Sequence, residues 1–459
     1  MTALVVGYGR SGKAAEALLK AQGAKTAVLA DDTRDKIGED AFDFAVVSPG
    51  IALTHPWIVE AKRRGIPLKS ELQLGCEELK RRGWKLLAVT GSKGKSSVVN
   101  VVAGAIGLEG RRAVACGNYG VPVCEVALDQ SGDQAVKQSS NSPWAVVEVS
   151  SFMMETTELP ADTFEAAAIL NLQEDHLDRH GSVEVYHGLK RKLLTMAKLR
   201  FDLSPYPDFE ALCKAFLDDD VRDFLGGSYF DNDVLAPNGV AALTLMLQAA
   251  KVDRRTARRA FDEFAPLPHR MNLVAEIGGV RYVDDSKATS ISALIAGVKM
   301  CRADAFRRAP NRLRAICAGL GRSRCEQKPS SAPFVRLVAG GLPKGDDPKA
   351  ALATLTERVK KVYLIGQGAE AFFSAWKGAV DCVICRTMDK AVEQAKREAE
   401  KGETVLLSPG TASFDQFKSY GERGDVFAQL VKKEKKTNEQ ARHGARSCGS
   451  RDSGWLQGS

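Results

Sequence analysis

The run Leu86-Leu87-Ala88-Val89-Thr90-Gly91-Ser92-Lys93-Gly94-Lys95-Ser96-Ser97 limits what this chain can become more than any other stretch. An apolar segment of strand length leads into a turn with two glycines and then Lys-Ser. Val98-Val99-Asn100-Val101-Val102-Ala103 follows, with Ile106 one turn on, and reads as a buried helix. Strand, glycine turn, Lys-Ser and helix is the layout of a phosphate-binding loop. Glycine lets successive backbone N–H groups converge on a phosphate, and the helix N-terminus adds roughly half a positive charge at the same point. Lys95 is placed to neutralise the outer phosphates, and the Ser96 hydroxyl to hold Mg²⁺. Val89 stands where the longer G-x-x-x-x-G-K-[ST] pattern has its first glycine, so the match is to the shorter T-G-x-x-G-K-S. The competing reading is a glycine-rich strand–helix turn with no ligand.

At 459 residues the chain is too long for one hydrophobic core, and several domains are expected. With 44% hydrophobic and 27% charged residues it has the balance of an ordinary globular protein. Much of the net charge of +8 lies in arginine-rich patches near 254–259 and 302–314 and in the tail; so dispersed a charge suits anionic small molecules as well as nucleic acid, and usually means only a solvated surface. No apolar run reaches 18 residues, so no membrane span is expected. The N-terminus has no basic region before its apolar run and leads straight into a turn, as a first strand does and a secretory leader does not. Ten cysteines are scattered. Cys382 and Cys385 have C-x-x-C spacing but lie in a strand-like run with no second pair or histidine nearby, which argues against zinc or redox work. Reduced cysteines and a cytoplasmic location are expected.

Residues 3–7 read as a strand, Gly7-Tyr8-Gly9-Arg10-Ser11-Gly12 as a glycine turn, 13–22 as a helix and 25–30 as a second strand ending at Asp31-Asp32. This is a Rossmann-like start, with G-x-G-x-x-G satisfied and an acid about twenty residues on. Phe44 to Val47 is a third strand, closed by Ser48-Pro49-Gly50. A dinucleotide dehydrogenase is the obvious rival, but it has no need of the separate phosphate loop with its own lysine. Beyond that loop, Ala113 to Cys116 is a strand, and Trp144 to Phe152 a buried strand carrying one acid, Glu148. A carboxylate at a strand end beside a phosphate loop is where Mg²⁺ needs a ligand. Ala166 to Leu170 runs into Asn171-Leu172-Gln173-Glu174-Asp175-His176-Leu177-Asp178-Arg179-His180, and Tyr186 to Leu194 into a helix bearing Lys190. An apolar helix starts at Gly239, and Pro266-Leu267-Pro268 reads as a linker. A hairpin (273–277, 280–283) and strands at 337–341, 362–366 and 405–407 then build a last parallel sheet.

Taken together, GYGRSG (7–12), SPGI (48–51), SELQLG (70–75), TGSKGKSS (90–97), GN (117–118), EVSSF (148–152), NLQEDHLDRH (171–180), HR (269–270), DDSKATS (284–290), AGGLPKG (339–345) and LSPGTASFDQFKSYGERG (407–424) stand in the order found in the Mur ligases of peptidoglycan synthesis. The chain resembles that family over roughly residues 1–431, and DSKATS with ASFDQF points to its D-glutamate-adding branch. The resemblance implies an α/β protein of three domains. These are a Rossmann-like UDP-substrate domain (1–83), a central P-loop ATPase-like domain with a parallel sheet (84–265), and a Rossmann-like amino-acid-binding domain (266–433). An insertion at about 302–333 and a basic, disordered tail at 434–459 depart from the pattern, and the segment between Lys190 and Asn238 is shorter than the family's.

The implied reaction uses ATP to phosphorylate the terminal carboxylate of UDP-N-acetylmuramoyl-L-alanine. The amine of D-glutamate then attacks the acyl phosphate. Such chemistry asks for charge neutralisation more than for a protein nucleophile. By resemblance, Gly91, Ser92, Lys93, Gly94, Lys95, Ser96, Ser97, Asn238, Arg270 and Asp285 contact ATP. Ser96 and Glu148 hold one Mg²⁺, and His176 with a carbamylated Lys190 a second. Lys95, Glu148, His176 and Lys190 form the catalytic set. Arg10, Ser11, Ser48 and Gly50 match the UDP site, Asn118 the acyl end, and Thr289, Lys344, Ser413 and Tyr420 the D-glutamate pocket. Closure of the domains is expected to assemble the site, and a monomer without nucleic-acid partners is expected. The alternatives are a sister Mur ligase or folylpolyglutamate synthase and, from another class, a non-catalytic nucleotide-binding protein.

Overall fold

The computed structural model describes residues 1–30, 35–129, 142–206, 208–217, 221–301 and 334–433. The acidic pair Asp31-Asp32, the 302–333 insertion and the 434–459 tail therefore lie outside the described residues. The chain divides into two compact units between Leu267 and Pro268. Among the described residues no helix is long and apolar enough to cross a membrane.

The first unit holds two parallel sheets. One is built from β1 (Thr2–Val6), β2 (Lys25–Leu29), β3 (Phe44–Val47) and β4 (Leu68–Ser70) in the order β2-β1-β3-β4. The apolar runs of β1 and β3 are continuous because both faces are covered. Ala3, Val5, Phe44 and Val46 enter one core, and Leu4, Val6, Ala45 and Val47 another. The order reverses at β1, so the turns that follow β1 and β3 flank one crevice at the carboxyl edge.

The second sheet has β5 (Lys85–Thr90), β6 (Ala113–Gly117), β7 (Trp144–Glu148), β8 (Phe164–Ile169) and β9 (Ala197–Asp202) in the order β6-β7-β5-β8-β9. β5 is central and Leu86 to Val89 are fully buried. Its neighbours place Glu148 beside Val89 and Ile169 beside Thr90, which brings three strand ends to the phosphate loop. The helices Arg10–Ala21 and Glu71–Arg81 pack on Val123–Leu128, so one hydrophobic core runs from Ala3 to Ala197. The expected boundary at 83/84 thus falls between two sheets of a single compact unit.

Three local expectations differ from the structure. The first helix begins at Arg10, not at 13, because the glycine turn is complete at Gly9. The strand read to Phe152 stops at Glu148: Ser150 Oγ accepts the Met153 N–H and starts the helix Ser151–Met154 instead. β9 has no counterpart in the sequence reading, since Ala197 and Phe201 are its only buried residues and period-two alternation is lost.

The second unit is a six-stranded sheet of β10 (Asn272–Ile277), β11 (Val280–Asp284), β12 (Val335–Gly340), β13 (Val359–Ile365), β14 (Asp381–Arg386) and β15 (Thr404–Leu407), ordered β10-β11-β15-β12-β13-β14. Only the β10–β11 hairpin is antiparallel, turning at Gly278-Gly279 with φ of +61° and +78°. Helices cover both faces: Ile291–Met300, Leu352–Arg358 and Ala369–Trp376 on one, Met388–Glu398 and Tyr420–Lys432 on the other. Because β11, β15 and β12 are neighbours, the DDSKATS, SPGTASFD and GGLPK loops emerge side by side.

Candidate active site

The phosphate loop joins β5 to the helix Lys95–Leu108. Gly91 has φ of +151°, and Gly94, the residue before the helix, is left-handed at +87°. A Cβ on Gly94 would lie 2.3 Å from Asn238 Nδ2, so glycine is required there by space as well as by conformation. That contact places the buried Asn238, carried by the helix Ala236–Thr244, against the loop. Asn171 Oδ1 accepts the Lys93 N–H at 2.9 Å while its Nδ2 donates to Lys93 O at 3.0 Å. Ser92 Oγ accepts the Gln173 N–H at 3.0 Å. The loop is thereby pinned to the strand end that begins NLQEDHLDRH. Ser96 and Ser97 follow on the first helical turn.

Two lysines converge on one carbonyl. Lys95 Nζ donates to Gly91 O at 2.9 Å and Ser92 O at 3.2 Å. Lys190 Nζ donates to the same Gly91 O at 2.9 Å. Lys190 stands on the helix Val183–Lys192, is 2% exposed, and lies 4.6 Å from the Tyr186 ring one turn earlier. Burial, reinforced by the Lys95 charge, pushes its amine down to about 7. It neither points to solvent nor pairs with Asp178.

Glu148, at the end of β7, is buried. Its Oε1 accepts Asn118 Nδ2 at 2.8 Å, and its Oε2 is sealed from solvent with no hydrogen-bond partner. A buried carboxylate oxygen left alone is costly, and a divalent cation satisfies it. His176 is exposed, at a left-handed φ of 54°, with its ring 4.8 Å from Phe152. Left-handed backbone at a non-glycine is strained and concentrates at functional sites. Among the described residues no three His, Cys, Asp or Glu side chains converge as a ready metal cluster. A cation bound at the Glu148 oxygen would need further ligands, from a hydroxyl such as that of Ser96 or from a bound phosphate.

A cavity of about 490 Å³ lies at the crevice of the first sheet. Arg10, Ser11, Ser48 and Gly50 line it together with Asn118 from the middle sheet. The structure thus brings together the residues matched to the UDP site and the one matched to the acyl end. Ser48 Oγ donates to Gly7 O at 2.7 Å, so that hydroxyl holds the two turns in register.

In the second unit Arg270 lies between His269 and Met271, both at positive φ (60° and 52°). His269 Nδ1 is 2.7 Å from Asp284 Oδ2. Asp285 is buried; burial raises its carboxyl to about 7, against the Ser408 hydroxyl at 3.0 Å and the nearby Arg270 charge. Ser413 is buried, Thr289 half-buried, and Lys344 and Tyr420 exposed. Lys287 Nζ sits 3.7 Å over the Tyr420 ring.

Residues 89–201 match the Mur ligase middle domain and residues 269–410 the Mur ligase, glutamate ligase domain. The UDP-N-acetylmuramoylalanine--D-glutamate ligase of Koribacter versatilis (strain Ellin345) is 30% identical, over 94% of this chain and 97% of the relative. The chain belongs to the Mur ligase family. The enzyme of the same name from Nitratidesulfovibrio vulgaris (strain DP4) is 32% identical, over 94% of this Mur ligase and 95% of the relative. A solved UDP-N-acetylmuramate-alanine ligase from Thermotoga maritima shares the fold with a TM-score of 0.52 at 14% identity, covering 94% of this chain and 98% of that one.

Some structural residues of this Mur ligase escaped the sequence reading. His180 is buried, with Nε2 3.0 Å from Ser151 Oγ and Nδ1 3.4 Å from Glu155 Oε1. Arg179 pairs with both oxygens of Glu155 at 3.0 and 2.6 Å and donates to Ile51 O at 2.8 Å, which ties the EDHLDRH turn to the SPGI turn. Arg423 and the His269–Asp284 pair stand inside recognisable motifs, yet their partners show only in the folded chain. Pairings between residues 15 to 137 positions apart leave no local periodicity to read.

Proposed function

We propose that this Mur ligase joins D-glutamate to UDP-N-acetylmuramoyl-L-alanine in peptidoglycan synthesis, consuming ATP and releasing ADP and phosphate. The observation that carries the reading is the near end-to-end match to relatives named for that reaction. The phosphate loop with Lys95, Lys190 and Glu148 supports ATP as the phosphoryl donor. The γ-phosphoryl passes to the terminal carboxylate oxygen, giving an acyl phosphate. The amine of D-glutamate attacks the acyl carbon, the C–O bond to phosphate breaks, and the amine proton leaves to solvent or base. Lys95 and the loop amides hold the phosphates, Asn238 buttresses Gly94, and Arg270 and Asp285 contact the nucleotide. Arg10, Ser11, Ser48 and Gly50 take the UDP end, Asn118 the acyl end, and Thr289, Lys344, Ser413 and Tyr420 the acceptor.

The orphaned Oε2 of Glu148 fits Mg²⁺, which would be held there with Ser96, while His176 and Lys190 would hold a second; both would offset the charge on the transferring phosphoryl group. An ammonium cannot ligate a metal. An amine pushed down to about 7 is substantially neutral near physiological pH, and its lone pair can add CO₂, losing a proton to leave a carbamate. The enzyme works as a cytoplasmic monomer in this reading. Phosphate release with ATP and UDP-N-acetylmuramoyl-L-alanine across an amino-acid panel tests it. D-glutamate supports turnover; L-glutamate, L-alanine and meso-diaminopimelate do not. Equal rates with the diamino acid move the protein to a sister ligase.

A further inference from the structure

Arg423 lies on the first turn of the helix Tyr420–Lys432 and is 0% exposed. Its Nε donates to Ser286 Oγ at 3.0 Å, and its Nη2 to Ser286 O at 2.9 Å and Thr411 O at 3.2 Å. Its Nη1 donates to Thr411 O at 3.2 Å and Ala412 O at 3.1 Å. Ser286 Oγ donates in turn to Tyr420 O at 2.8 Å. A third loop joins the same knot. Leu342 and Ala412 exchange backbone hydrogen bonds at 3.0 and 3.1 Å. A Cβ on Gly341 would lie 2.4 Å from Ala412 O and 3.2 Å from Arg423 Nη1, so the GGLPK loop comes as close as a glycine permits.

Each residue proposed for the acceptor pocket stands next to this knot. Ser413 follows Ala412, Thr289 comes three residues after Ser286, Lys344 comes two after Leu342, and Tyr420 is itself a partner. No hydrogen-bonded carboxylate neutralises the guanidinium among the described residues. Taking a cation out of water is costly, and five hydrogen bonds from the guanidinium offset that cost here. What arginine alone supplies is a rigid planar fork whose donors reach two loops at once; a lysine offers three donors from a single point.

We propose that Arg423 is the positioning residue of the acceptor amino-acid pocket: it sets the spacing between the loops that carry Thr289 and Ser413 and fixes the main chain of Tyr420 against both. The inference rests on the acceptor-pocket reading given above. Its test is the steady-state kinetics of Arg423→Lys and Ser286→Ala, with melting curves, using whichever amino acid the wild-type enzyme accepts. An acceptor other than D-glutamate is then seen in the wild type and leaves the test intact. Arg423→Lys raises the acceptor KM by at least ~10-fold, with the ATP KM and kcat changed by no more than about threefold. Ser286→Ala removes one hydroxyl and the link to Tyr420, and raises the same KM by roughly threefold. If Arg423→Lys does not fold, Ser286→Ala decides. An unchanged acceptor KM in a folded variant, or equal rises in both KM values, overturns the proposal.

Discussion

Lys190 in the first unit and Arg423 in the second are both sealed from water, and their surroundings treat them in opposite ways. Lys190 has one carbonyl acceptor, which it shares with Lys95, and an aromatic face. Burial and the neighbouring lysine push it down to about 7. Arg423 is hydrogen-bonded through all three nitrogens, and burial lowers it only to about 10, with Asp415 and Asp284 opposing the shift. At neutral pH Arg423 is a fixed charge, while Lys190 is a group whose charge is open to change. A saturated buried cation builds structure, and an under-satisfied one is available for chemistry.

The largest effect expected from breaking this contrast comes from Lys95. Lys95→Ala lowers kcat by ~10³-fold with an unaltered melting curve, because the loss falls on phosphoryl charge and not on packing. Near-wild-type turnover with unchanged ATP affinity removes the phosphate-loop assignment.

Lys190 comes next. Lys190→Ala loses at least ~100-fold in activity, and a short carboxylic acid in the buffer restores part of it by occupying the gap and supplying oxygens to the cation. Full activity in the alanine variant refutes a carbamate role.

The two cations also separate in stability. Arg423→Met strands the carbonyls of Ser286, Thr411 and Ala412 and lowers the unfolding free energy by roughly 3 kcal/mol. Lys190→Met removes a poorly satisfied amine and leaves stability equal or higher. Equal losses in urea melts of the two variants erase the distinction.

The smallest effect is a pH slope. Asp285 has its folded-state carboxyl raised from 3.8 to about 7, so between those values the folded protein holds a proton that the unfolded chain has released. Stability from this group therefore falls as pH rises from about 4 to about 7 and is flat above. Asp285→Asn lessens the decline in melting temperature across that window. Parallel melting profiles for wild type and variant refute it.

The sequence made the phosphate loop legible because its parts are contiguous. Gly91, Gly94 and Lys95 declare their backbone and charge within five residues, and β5 announces itself by an unbroken apolar run. Glu148 was readable as an acid in a buried strand. Its orphaned oxygen was not, since that depends on Asn118 taking the other one. Nothing local separates His180 from His176, four residues before it; Ser151 and Glu155 hold His180 inside the fold. Arg423 was hidden for the same reason, since its partner Ser286 is 137 residues away. The strand ending at Glu148 was read too long because a serine cap weighs little against a run of apolar letters.

The crevice of the first sheet carries a consequence for anyone seeking an inhibitor. Its wall is rich in glycine, with Gly7, Gly9, Gly50, Gly117 and Gly120 among the lining residues. A Cβ on Gly7 would lie 2.8 Å from Ile51, one on Gly12 2.0 Å from Gly7 O, and one on Gly117 2.4 Å from Glu148 O. A side chain at any of those three positions deforms the fold, whereas one at Gly9 or Gly50 meets open space. A compound that reads peptide groups beside Gly7 and Gly117, and keeps clear of Arg10, Gly9 and Gly50, therefore leaves few escape mutations open.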